Sequence, residues 1–148
     1  MKTLIAMLII ISFIQTTILP MDLVLIILIC RSYIRSDKSN LYWAFGFGLL
    51  NGHLNLNLLG INSLIYLILV GITESLSRSR LAGNPFLIIP LTLILVSINH
   101  ITLSILTNAS IQFFPKVVVE AALSLPILYL IKMWEERFIV RKEIKLRF

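Results

Sequence analysis

The sequence predicts an all-α, polytopic integral membrane protein of six transmembrane helices with both termini cytoplasmic. Three observations carry that prediction. The 148 residues are 58% hydrophobic and only 14% charged, against roughly 25% charged in an ordinary soluble domain, and mean hydropathy is +0.96. Apolar segments alternate with short polar stretches along the whole chain. The basic residues fall on alternate loops.

The first segment, about residues 3–19, contains Leu4, Ile5, Leu8 to Ile11, Phe13 and Ile14. Each such side chain favours insertion by roughly 0.3–0.6 kcal/mol. Lys2 in front gives it the look of a signal peptide, but Thr17-Ile18-Leu19-Pro20 lacks the small-x-small cleavage pattern, so a retained helix is expected. The second segment, about 21–34, follows Pro20 and is short against a hydrocarbon core of about 30 Å. The third runs over about 41–52 and the fourth over about 61–76. Between them His53-Leu54-Asn55-Leu56-Asn57 alternates polar and apolar, which suits a strand-like or irregular hairpin. The fifth, about 85–106, opens with Asn84 as cap and Pro85 in the first turn. Pro90 near its start is expected to cost a hydrogen bond and bend it. The sixth, about 115–133, has Pro126 in its interior. The transmembrane domain is placed at 1–131 and a basic cytoplasmic tail at 132–148.

Orientation follows from charge. Twelve of the thirteen Lys and Arg residues lie at Lys2, in the 31–38 and 78–84 loops, and after Ile131, leaving only Lys116 for the opposite face. This is the asymmetry of the positive-inside rule. It also removes the nucleic-acid reading that a net charge of +6 invites, because the charge is spread along one membrane face. The single cysteine, Cys30, admits no internal disulfide.

Polar residues within the apolar segments are the functional candidates. Ala44, Gly48 and Gly52 share one face of the third segment, where small residues let another helix approach closely. That helix belongs either to this chain or to a partner. Asn51, His53, Asn55, Asn57 and Asn62 cluster around the third-to-fourth hairpin, either to satisfy exposed backbone at a surface turn or to form a polar cavity or partner-contact site on the outer side. Asn99, His100 and Glu120 lie in the outer halves of the last two segments. Lys116 and Glu120 are spaced to pair along one helix. If the last two helices form a hairpin, His100 can meet Glu120, either as a tie between helices or as a proton carrier. There is no HExxH, no GxSxG, no phosphate-binding Gly-rich loop and no paired cysteines. Two histidines make a poor metal site. No catalytic residue, metal or cofactor is expected.

The order and spacing of these features resemble the bacterial rod shape-determining protein MreD family over nearly the whole chain. Pro20-Met21-Asp22-Leu23-Val24-Leu25-Ile26 is similar to the Pro and Asp that open that family's short second helix. Gly48-Leu49-Leu50 followed by Leu59-Gly60-Ile61-Asn62-Ser63-Leu64 is similar to its Gly-rich third helix and the start of its fourth. The basic loop from Arg78 to Asn84 and the late proline of Leu125-Pro126-Ile127-Leu128-Tyr129-Leu130 complete the pattern. The family often has an acid in its third helix, where this chain places Gly52 between Asn51 and His53. The resemblance implies a non-enzymatic scaffold of the cell-elongation and peptidoglycan-synthesis machinery in the bacterial cytoplasmic membrane. It implies an MreC-like membrane partner, and links to MreB filaments and peptidoglycan synthases. The family fold is similar to the six-helix substrate-binding subunits of vitamin-type transporters, which supplies the alternative function.

Overall fold

The computed structural model describes residues 2–18, 22–35, 37–54, 56, 60–78, 84–108 and 114–138, without the side chains of 85, 107, 114–116, 135 and 138. Six α-helices and one 3₁₀ turn make up 91% of the described residues, and none of these residues is in a strand. The helices are α1 (Lys2–Thr17), α2 (Leu23–Ile34), α3 (Ser39–Leu54), α4 (Ile61–Ser77), α5 (Ile88–Thr107) and α6 (Phe114–Phe138). The 3₁₀ turn, Pro85–Leu87, leads into α5.

The bundle is organised around α2. Every residue from Val24 to Tyr33 is buried, and the other five helices all pack on it. Its sequence has no polar face before Arg31, and a helix apolar all round belongs in an interior. Twelve residues reach only about 18 Å. That length suffices because neighbouring helices supply hydrogen-bond partners at its start: the backbone N–H of Asp22 donates to Glu120 and that of Val24 to Gln15.

Two antiparallel hairpins flank this axis. In the α3–α4 hairpin a Cβ on Gly48 would lie 2.5 Å from the Ser63 Cα, so the absence of a side chain sets how closely the helices pack. The Ser63 hydroxyl donates to the Phe45 carbonyl at 3.2 Å. In the α5–α6 hairpin the Thr92 hydroxyl donates to Ser124 Oγ at 3.0 Å. The Ser124 carbonyl in turn accepts from Cys30 at 3.4 Å, which ties α6 to α2.

The outer surface is as apolar as the core, and several polar side chains are held inside it. Gln15, Asn51, Asn62, Thr73, Asn99, Glu120 and Ser124 are buried, while Ile10, Phe13, Ile68, Ile94, Ile105 and Leu130 are exposed. Two helices are long and apolar enough to cross a membrane, α5 over Ile88–Leu106 and α6 over Val117–Trp134. Helices α1, α2 and α4 are apolar but shorter.

Several boundaries differ from the sequence expectation. Helix α6 continues to Phe138, so residues 132–138 belong to the helix and not to a separate tail; residues 139–148 lie outside the described residues. Pro90 is the third residue of α5. It falls in the first turn, where backbone N–H groups have no partner within the helix, so its missing N–H costs none of the helix's own bonds. Asn84 does act at the start, accepting the Phe86 N–H on Oδ1 at 3.1 Å. Arg31, counted with the inner-side charges of the 31–38 stretch and within the expected 21–34 segment, is in the last turn of α2 and is 1% exposed, with Cζ 4.4 Å from the centroid of the Trp43 ring. At the third-to-fourth hairpin, His53 and Leu54 finish α3, Leu56 takes a left-handed φ of 55° and Gly60 one of 94°.

Candidate functional site

The polar side chains converge where α2 begins. At a helix start the first N–H groups lack intrahelical partners, and the helix dipole favours nearby carboxylates. Asp22 is the N-cap residue of α2, yet its side chain makes no capping bond. Its Oδ2 accepts instead from Asn99 Nδ2 of α5, at 2.9 Å. Two of the orphan N–H groups at the start of α2 are taken by side chains from two other helices. Glu120 Oε1 of α6 accepts from the Asp22 N–H at 3.2 Å, and Gln15 Oε1 of α1 accepts from the Val24 N–H at 3.1 Å.

Each of these capping side chains is itself tied to another helix. His100 Nε2 lies 3.1 Å from Glu120 Oε2, with His100 at 19% exposure and Glu120 at 0%. Gln15 Nε2 donates to Asn51 Oδ1 at 3.0 Å, and Asn51 Nδ2 donates to the Tyr66 hydroxyl at 2.6 Å. One branch therefore runs α5–α6–α2 and the other α1–α3–α4. They meet on the first turn of α2 as a polar clasp that engages all six helices.

Of the residues singled out in the sequence, Asn99, His100 and Glu120 come together here, and Asn51 anchors the other branch. His53 is exposed and stands outside the network. Asn55 and Asn57 lie outside the described residues, as does the Lys116 side chain expected to pair with Glu120. Ala44, Gly48 and Gly52 are buried. Gly48 abuts Ser63, and a Cβ on Gly52 would lie 3.7 Å from Asn62. The helix these glycines admit is thus α4 of the same chain, and they offer no free face to a partner.

Sequence reasoning did not single out Gln15 or Tyr66, and it noted Asp22 only as the acid that opens the second helix. A signal existed for two of them. Gln15 is the one side-chain amide in α1, and Asp22 is an acid at the mouth of an apolar run. The Tyr66 hydroxyl carries no such mark. Chemically, the clasp can pass a proton between His100 and Glu120 and can lock helices together. No group of three or more His, Cys, Asp or Glu placed to hold a metal ion occurs among the described residues. Compared with protein-family models, curated proteins and solved structures, the chain gives no match.

Proposed function

We propose that this chain is a six-span protein of the bacterial cytoplasmic membrane, with both termini inside, and that it is a non-enzymatic scaffold of the cell-elongation machinery. The membrane part of the reading draws on the apolar surface: exposed apolar side chains on α1, α4, α5 and α6 surround a core that holds buried amides and acids. Contiguous apolar surface on this scale is what lipid contacts. Helices of 16 or 17 residues, such as α1, α3 and α4, span by local thinning of the bilayer and by flanking polar groups that reach the interface. The basic residues Lys2, Lys38, Arg78, Lys132 and Arg137 then share the inner face.

The scaffold part is carried by one observation: the buried polar side chains of the clasp bond to one another. Gln15, Asn51, Tyr66, Asp22, Asn99, His100 and Glu120 form helix-to-helix bonds, which suits a rigid body that presents its surface to partners. By its resemblance to the MreD family, those partners are an MreC-like membrane protein, MreB filaments and peptidoglycan synthases, with no enzyme activity and no nucleic acid. A second reading, the substrate-binding subunit of a small-molecule transporter, draws on Asn99 Oδ1, which is buried with no hydrogen-bond partner among the described residues.

The test is isolation of the full chain from bacterial membranes, with co-purifying proteins and small molecules both identified, alongside depletion in cells. The scaffold reading expects elongation proteins in the eluate and rounded cells on depletion. Stoichiometric retention of a small molecule without such partners favours the transporter reading. Topology is read with a reporter active only outside the membrane, fused at Asn108 or at Phe148. Activity of the Phe148 fusion overturns the six-span orientation.

A further inference from the structure

At the end of the bundle opposite the clasp, a trough of about 660 Å³ opens between α3 and α4. Its mouth is formed by Lys38, just before α3, with Glu74 and Arg78 at the end of α4. Its wall is Leu41, Tyr42, Phe45 and Leu67. Phe45 is seven residues from Lys38, about 10 Å along the helix, and Leu67 is eleven from Arg78, about 16 Å. Among the described lining residues all the charge is at one end, and beyond it the only polar side-chain group is the Tyr42 hydroxyl.

We propose that this trough binds one singly anionic phospholipid, with an acyl chain along Phe45 and Leu67 and its phosphate between Lys38 and Arg78. The inference rests on the membrane reading, with this end at the inner leaflet. Charge complementarity selects the occupant. Two cations and one carboxylate leave the mouth with one net positive charge, which a single phosphodiester balances. A guanidinium and an ammonium are the usual donors to phosphate oxygens. Glu74 is 6% exposed and held by Asn40 Nδ2 at 3.3 Å. A carboxylate fixed there repels a multiply charged headgroup and accepts from headgroup hydroxyls, which points to phosphatidylglycerol. Tyr42, 79% exposed, sits at the headgroup level, where interfacial aromatics gather.

The experiment is native mass spectrometry of the full chain purified in detergent, with phosphatidylglycerol and phosphatidylcholine offered at equal concentration. The proposal expects one phosphatidylglycerol adduct retained in preference to phosphatidylcholine. Lys38→Gln with Arg78→Gln should weaken that retention about thirtyfold, from the attraction lost with two basic residues. The control pair Lys132→Gln with Arg137→Gln on α6 should leave it unchanged. Equal retention of the two lipids by the unaltered chain overturns the proposal, and this comparison needs no variant to fold. Loss of retention in the control pair overturns it too, as does occupation of the trough by a protein helix with no lipid adduct. Failure of the membrane reading shows separately, as recovery of the chain in the alkaline-washed soluble fraction.

Discussion

His100 Nε2 on α5 lies 3.1 Å from Glu120 Oε2 on α6, while the other oxygen of the same carboxylate takes the backbone N–H of Asp22 at the start of α2. One buried carboxylate thus closes the α5–α6 hairpin and caps the central helix. The second role makes it more than a tie between two helices, because α2 has no capping bond from its own N-cap side chain.

The two partners of this contact should therefore differ in cost. Interhelical hydrogen bonds in membrane proteins average about 0.6 kcal/mol and reach about 1.7. His100→Ala, which leaves Glu120 its Asp22 partner, should fall in that range. Glu120→Ala leaves two groups unsatisfied, at about 1–3 kcal/mol each, and should cost about 2–6 kcal/mol. Reversible unfolding in mixed micelles, followed by circular dichroism, checks the order. Equal losses for the two variants would show that the cap on α2 contributes nothing.

Two glycines on α3 should respond with opposite signs. A Cβ on Gly48 meets Ser63 Cα at 2.5 Å and Ser63 N at 2.9 Å, both backbone atoms that cannot swing away. Gly48→Ala must push α3 from α4 and should destabilise by about 1–3 kcal/mol. A Cβ on Gly46 meets nothing within 4 Å. Gly46→Ala should stabilise by about 0.5–1 kcal/mol through helix propensity. The same unfolding assay reads both, and a stabilising Gly48→Ala is the contrary result.

How far the sequence discloses this fold depends on the residue. The six helices are legible because Pro20, the Arg31 to Lys38 stretch, the polar stretch from His53 to Asn57, the Arg78 to Asn84 stretch and Pro115 break the apolar runs. The central place of α2 is not, since a helix apolar all round looks the same whether lipid or protein surrounds it. The small residues at Ala44, Gly48 and Gly52 announce a close approach without saying whose helix approaches. The His100–Glu120 contact follows once the hairpin is assumed. The partner of Asp22 is not legible, because an acid at a helix start does not disclose that its carboxylate binds Asn99 of another helix. Nor is the cover over Arg31, because a base at the end of an apolar run does not disclose that Trp43 lies against it.

That cover should be measurable. Arg31 Cζ is 4.4 Å from the Trp43 centroid, and the guanidinium is 1% exposed. Desolvated cation–π contacts reach about 2 kcal/mol. Trp43→Leu, which keeps apolar bulk but loses the ring face, should cost about 2 kcal/mol, and Trp43→Phe should cost less. A double-mutant cycle with Arg31→Met, read by unfolding, should return a coupling of about 1–2 kcal/mol. Additive losses would remove the ring from any account of how Arg31 is held.

The Gln15–Asn51–Tyr66 branch is what joins α1 to the rest of the polar network. Gln15 reaches Asn51 through Nε2 at 3.0 Å and the α2 backbone through Oε1 at 3.1 Å, while Asn51 reaches Tyr66 at 2.6 Å. Among the described residues, α1 otherwise packs on the core through apolar side chains, Leu4, Leu8 and Ile11, and in a membrane apolar surface alone gives helices little reason to prefer protein over lipid. Asn51→Leu removes a donor and an acceptor together and leaves Gln15 Nε2 and the Tyr66 hydroxyl to find new partners, at about 1–3 kcal/mol for each group left unsatisfied. The expected result is selective: α1 loosens while the α5–α6 hairpin, tied by Thr92–Ser124 and His100–Glu120, stays intact. Amide hydrogen exchange in micelles should show lost protection over residues 8–17 and unchanged protection over 92–103. Asn51→Gln, which keeps both functional groups on a longer stem, should recover part of the α1 protection. Uniform loss across the bundle would instead mean that the two branches of the clasp act as one cooperative unit through the first turn of α2.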